Sequence, residues 1–166
     1  MNRIKNNKGF TLVELLAVIV VLAIVMSLAV VAITGVLDNA RKATFVSEAK
    51  SFLEGARNVV NSEELVSVLD STKAEHLVSC GGANPSTEIQ ISEIPLQQGG
   101  KKSPYGNNYT DDSFVRVTAR MVDNVCTYNY SIFLSDSVYR IGTKDLPDEW
   151  STIDTSSIKL VSQGNN

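Results

Sequence analysis

At 166 residues, with a formal net charge of −3 and 20% charged residues, the chain is sized for one ordinary domain. No Lys/Arg cluster marks a nucleic-acid-binding face; Arg41-Lys42 and Lys101-Lys102 are isolated pairs. Two cysteines and a single histidine, His76, are too few for a Cys-rich metal centre.

The chain begins with a short basic leader carrying Arg3, Lys5 and Lys8 and ending at Gly9. Phe10 opens an apolar stretch that holds one acid, Glu14, near its start. From Leu15 to Leu37 there are twenty-three residues without a charge. A bilayer core needs about 20 residues in a helix, so this run is long enough to span it. It exceeds the ~7–15 apolar residues of a secretory signal, which is cut after its apolar core. Positive charge concentrated before the run predicts a cytoplasmic leader and an exported C-terminal bulk. An ionised side chain inside such a run is costly, about 2.5–3.5 kcal/mol at the helix centre, which makes Glu14 a candidate for function.

Lys8-Gly-Phe-Thr-Leu-Val-Glu14 resembles the processing site of type IV prepilins and of the pseudopilins of type II secretion and DNA-uptake machines. The close match covers about 30 residues. The resemblance implies cleavage between Gly9 and Phe10 by a prepilin peptidase, N-methylation of Phe10, and an assembly role for Glu14. It also implies partners: other pilin subunits, the cytoplasmic membrane, and an assembly platform with its motor. Removing residues 1–9 leaves 12 basic against 18 acidic side chains, a net charge of −6.

No proline falls between Phe10 and Asn84. After Leu37 the pattern turns amphipathic, with Ala40, Ala43, Phe45, Val46, Ala49, Phe52, Leu53, Ala56, Val59 and Val60 at steps of three and four. One helix over 11–61 is expected, some 75 Å long at the standard rise. The alternative is a membrane helix and a separate soluble one, divided at Gly35. Many pilins have a proline midway through the membrane half of this helix; here Val30, Val31 and Ala32 occupy that neighbourhood. Ser62-Glu-Glu-Leu65 reads as the cap of a short second helix toward Leu69.

Residues 80–112 read as connections, broken by Gly81-Gly82, Pro85, Pro95, Gly99-Gly100, Pro104 and Gly106. A short strand is expected over 88–91, a single turn over 92–95, and a Pro-aromatic-Gly turn at Ser103-Pro-Tyr-Gly106. Residues 114–122 alternate, with Val115, Val117, Ala119 and Met121 on one face. Asp123-Asn124 suits a two-residue hairpin turn, after which Cys126, Tyr128, Tyr130, Ile132 and Leu134 share a face. Ser135-Asp136-Ser137 turns the chain into a third strand, 138–141. The tail from Asp145 is expected to add an edge strand or strap. The expected fold is α+β: a long N-terminal helix whose amphipathic half packs on an antiparallel meander. The expected division is leader 1–9, transmembrane and assembly half 10–37, and globular head 38–166, with the sheet over 113–142.

In an exported head the two cysteines allow one disulfide, Cys80 with Cys126, or two buried free thiols. No catalytic constellation, metal set or cofactor motif is read. His76 is a loop histidine, Asp111-Asp112 with Asn107 and Asn108 is a loop turn rather than a cation site, and Tyr128, Tyr130 and Tyr139 belong to the core. Asn108-Tyr-Thr110 and Asn129-Tyr-Ser131 fit the N-glycosylation pattern but only as three-residue matches. The expected function is a non-enzymatic pilus subunit. The alternatives are a pseudopilin of a secretion or competence apparatus and a minor tip pilin holding a ligand. A nucleic-acid partner has no support in the sequence.

Overall fold

A computed structural model describes residues 10–69, 78–80, 85–96 and 102–161, except the side chains of 31, 32 and 64–69. The chain divides into two compact units, Met1–Asn39 and Ala40–Asn166. One helix, α1 (Leu12–Leu69, 58 residues), contributes to both.

In the first unit α1 is apolar on every side, and its large side chains from Leu12 to Leu37 are exposed wherever they are described. The helix continues through Gly35, where a Cβ would meet nothing within 4 Å. By length and composition it is able to cross a bilayer.

In the second unit the stripe at steps of three and four is buried: Phe45, Ala49, Phe52, Leu53, Ala56 and Val60. It packs into one core with Val115, Val117, Ile132, Leu134 and Ile141 of the sheet. Each fully buried Leu, Ile or Phe contributes about 1.5–3 kcal/mol, so this stripe holds the helix to the sheet. The second helix expected at Ser62 does not form. Ser62 Oγ donates to Val59 O at 2.8 Å, bonding back into the preceding turn, and no Gly or Pro interrupts α1 there.

The six-stranded sheet runs β1 (Ser86–Gln90), β2 (Phe114–Val122), β3 (Val125–Ser135), β4 (Tyr139–Ile141) and β6 (Ile158–Leu160), with β5 (Asp148–Glu149) also paired to β3. Every pairing is antiparallel. The β2–β3 hairpin closes at Val122↔Val125, and Asp123 and Asn124 adopt φ 48° and 63°, as a primed turn requires. The short strand before the sheet is Ser86–Gln90 rather than 88–91, and a 3-10 turn occupies Ile91–Glu93. The tail supplies both β5 and β6, each too short to be read from alternation.

Two departures from the alternation have physical reasons. Met121, expected on the core face, is 54% exposed, since alternation assigns a face without saying whether anything covers it. Phe114 and Phe133, on the opposite face, are buried. They are register partners with ring centroids 5.8 Å apart, and the Arg116 guanidinium lies 5.3 Å over the Phe114 ring. Arg116 also donates to Lys144 O and Asp145 O and pairs with Glu88, so it ties the segment after β4 to this face. Gly142, at φ +70°, makes the turn into that segment; a Cβ there would meet Ile132 O at 2.7 Å.

Cys80 and Cys126 form a disulfide with Cα atoms 5.7 Å apart, which removes the free-thiol alternative. It joins the segment following α1 to the start of β3.

Candidate processing and assembly site

Phe10, 90% exposed, and Thr11 lie just before α1; Gly9 and the rest of the leader lie outside the described residues. Thr11 is the residue preceding the first helical position, and Glu14 is the third residue within the helix. Glu14 Oε2 accepts from Thr11 N at 2.9 Å and from Thr11 Oγ1 at 3.0 Å. The Glu14 amide donates to Thr11 Oγ1 at 3.3 Å. This is a reciprocal capping box: the threonine hydroxyl serves one orphan amide and the carboxylate another. The acid that costs most in an apolar run therefore also finishes the helix, and its charge sits at the favourable positive end of the helix dipole. The Thr-Leu-Val-Glu spacing carries the capping-box signature in the sequence itself.

Several polar groups of the head are engaged internally. Buried Asp136 accepts from Ser103 Oγ at 2.5 Å, Val138 N at 3.0 Å and Tyr139 N at 2.6 Å, and so fixes the β3–β4 turn. Tyr109 Oη donates to Glu48 Oε2, and its ring packs against Phe45 and Phe52, each at 5.8 Å. Burial raises the Glu48 carboxyl above its ordinary value, although the Tyr109 hydrogen bond pulls the other way. Burial followed by the Glu48 hydrogen bond raises the Tyr109 phenol.

Asp112 is held below its ordinary value first by its hydrogen bond to Lys144, 2.6 Å away in an exposed pair. Asn107 O accepts from Ser103 N, and Asn108 bridges Lys102, so the Asp111-Asp112 region is an ordered loop. Among the described residues no group of three or more His, Cys, Asp or Glu side chains is placed to hold a metal ion. His76 lies outside the described residues. Tyr139 stacks on Tyr105 with centroids 4.0 Å apart, and Tyr128 and Tyr130 are half-buried against the core. Asn129 Nδ2 donates to Glu149 Oε1 at 2.8 Å.

A capped, predominantly apolar helical segment at the N-terminus and a helix-on-sheet head define a pilin-like α+β layout with a membrane-capable anchor. Residues 4–30 match the family model described as the prokaryotic N-terminal methylation motif, the signal peptide of type IV pilins and pseudopilins. No curated protein and no solved structure matches the chain. The motif ties the segment to prepilin-peptidase processing and to assembly from the membrane, and with α1 it fits membrane anchoring before assembly.

Proposed function

We propose that this chain is the subunit of an extracytoplasmic type IV pilus-like filament with a structural rather than catalytic role. The precursor is anchored by residues 10–37, cut between Gly9 and Phe10, N-methylated at Phe10, and polymerised by packing of its apolar helices, while residues 38–166 form the head. The observation that carries this reading is the methylation motif over residues 4–30, running into a helix whose described large apolar side chains over 12–37 are exposed.

In this reading Glu14 serves assembly. Both Thr11 bonds fall on Oε2, so Oε1 remains to receive the Phe10 amine of a neighbouring subunit. In lipid that attraction is strong, but desolvation offsets much of it, so the pair selects register more than it adds affinity. Close helix packing supplies the rest. The test is to shear surface filaments from cells and determine their N-termini by mass spectrometry. N-methyl-Phe10 as first residue is the expected result. Filaments that retain residues 1–9, or a cell surface without filaments of this chain, would overturn the reading.

A further inference from the structure

The head carries an open groove of about 380 Å³, within the roughly 300–1,000 Å³ range of small-molecule sites. One wall is α1, where Glu54, Arg57 and Asn61 follow one another at steps of three and four along one side of the helix. The other is built from Tyr128 and Tyr130 of β3 and from Trp150, which follows β5 and donates its backbone amide to Tyr130 O at 3.4 Å. Glu54, Arg57 and Asn61 are exposed and make no side-chain hydrogen bond or ion pair with another described residue. Trp150, the single tryptophan of the chain, is 39% exposed.

We infer that this groove is a binding site for a neutral saccharide. The charges lining it are one acid and one base, so a polyanion gains no net attraction there, and neither does a strongly cationic ligand. What the groove offers is aromatic surface opposite a carboxylate, a guanidinium and an amide. A pyranose presents the matching pair of features: an apolar face of C–H groups to lie on the indole and phenol rings, and a rim of hydroxyls that both donate and accept. Glu54 accepts from such hydroxyls, Arg57 donates a fork of N–H groups to them, and Asn61 does both. The groove residues belong to the unit Ala40–Asn166, whereas Phe10 and Glu14 belong to the unit Met1–Asn39.

The test uses the full chain in a sugar-free zwitterionic detergent and reads Trp150 fluorescence. The probes are lactose, maltose and diacetylchitobiose, with a heparin oligosaccharide and oligothymidylate as anionic counterparts. The expected result is a saturable change in emission with at least one neutral disaccharide. Arg57→Ala and Asn61→Ala each weaken that binding by about tenfold while leaving the thermal melting point unchanged, since both side chains are exposed. An emission unmoved by every neutral disaccharide overturns the inference, as does a response confined to the anionic probes. Unchanged affinity in both variants overturns the placement. An emission change on filament assembly, with no saccharide response, identifies the occupant as a second copy of the chain and also overturns it.

Discussion

Within α1 the same helical geometry serves two opposite environments. Before Asn39, Leu12 and Val21 are 79% and 58% exposed, and no side of the cylinder is polar. After it, Phe45, Leu53 and Ala56 are fully buried against the sheet while Glu54 and Arg57 stay in solvent. The first region is stable only in a medium that the chain does not itself supply, lipid or other copies of the helix. The second completes its own core. Mutations in the first should therefore alter assembly with little effect on the fold of the head, and mutations in the second should do the reverse.

Glu14→Ala is the largest test of that division. It removes a costly charge from the apolar run, so membrane insertion should be intact or improved. Filament yield should fall by more than about tenfold, since deleting one member of a buried ion pair strands the other. Glu14→Asp should retain part of the yield. Thr11→Ala should lie between, because it removes the cap, about 1 kcal/mol, and frees the carboxylate without removing it. Membrane fractionation and the yield of sheared filaments, with the variant as sole copy, provide the two readouts. A normal yield from Glu14→Ala would show that the proposed pairing is wrong.

The disulfide tests the other side of the comparison. Cys80 and Cys126 are 46 positions apart, and closing a loop of that size restricts the unfolded chain by about 3–4 kcal/mol on the entropic model. Replacing both cysteines by alanine should lower head stability by that order in chemical denaturation and leave insertion untouched. A non-reducing digest of the exported protein should give one linked peptide pair; two alkylatable thiols would reject the bond.

The two regions also differed in how far they could be read. In the first, Gly9, Phe10 and Glu14 stood out because a charge in an apolar run has few explanations. The capping role of Thr11 was equally present in the letters, but it emerged only once the helix start was fixed at Leu12. In the head, β2 and β3 were legible because alternation and the Asp123-Asn124 turn act locally. The burial of Phe114 and Phe133 was not, because it depends on Arg116 and on a segment some thirty residues away in sequence. The burial of Asp136 in its turn was not legible for the same reason: its partner Ser103 lies 33 positions earlier. The groove joins α1 to residues that follow β5 and has no local signature at all.

Gly55→Ala should have a smaller effect than loss of the disulfide. Alanine favours a helix over glycine by about 1 kcal/mol, and in the exposed half of α1 that preference would decide the outcome. At Gly55 a Cβ would collide with buried Ile94 Cγ2 and come within 3.4 Å of Pro95 O. The expected net result is a destabilisation of about 1–2 kcal/mol, as overpacking outweighs propensity. Gly35→Ala, with nothing within 4 Å of the new methyl, should show no such penalty. Equal effects at both glycines in thermal melts would remove the distinction between the two halves of the helix.

The smallest expected effect is a pH dependence confined to the head. Glu48 has its carboxyl raised by burial, so the folded state holds this proton more tightly than the unfolded chain. Its contribution to stability is complete below the ordinary carboxylate value of 4.5 and is lost as pH rises from there through the raised one. Asp112 and Asp154 are lowered, by Lys144 and Ser156 respectively, and act in the opposite sense. Their contributions are present above the ordinary value and lost as pH falls through the folded one. A single melting curve against pH would mix these slopes. The difference between the wild type and Glu48→Gln isolates one of them, because the amide still accepts from Tyr109 and cannot ionise. Relative to the variant, the wild type should lose stability as pH rises above 4.5 and then level off. A second loss should begin near pH 10 in both proteins, as unfolded Tyr109 ionises while the folded phenol, raised by burial, keeps its proton. If the wild type instead gains stability relative to Glu48→Gln as pH rises through the acid range, Glu48 is ionised more readily in the fold than in the open chain. Tyr109 would then act as its stabilising partner, and burial would not be the dominant influence on the helix face that meets the loop.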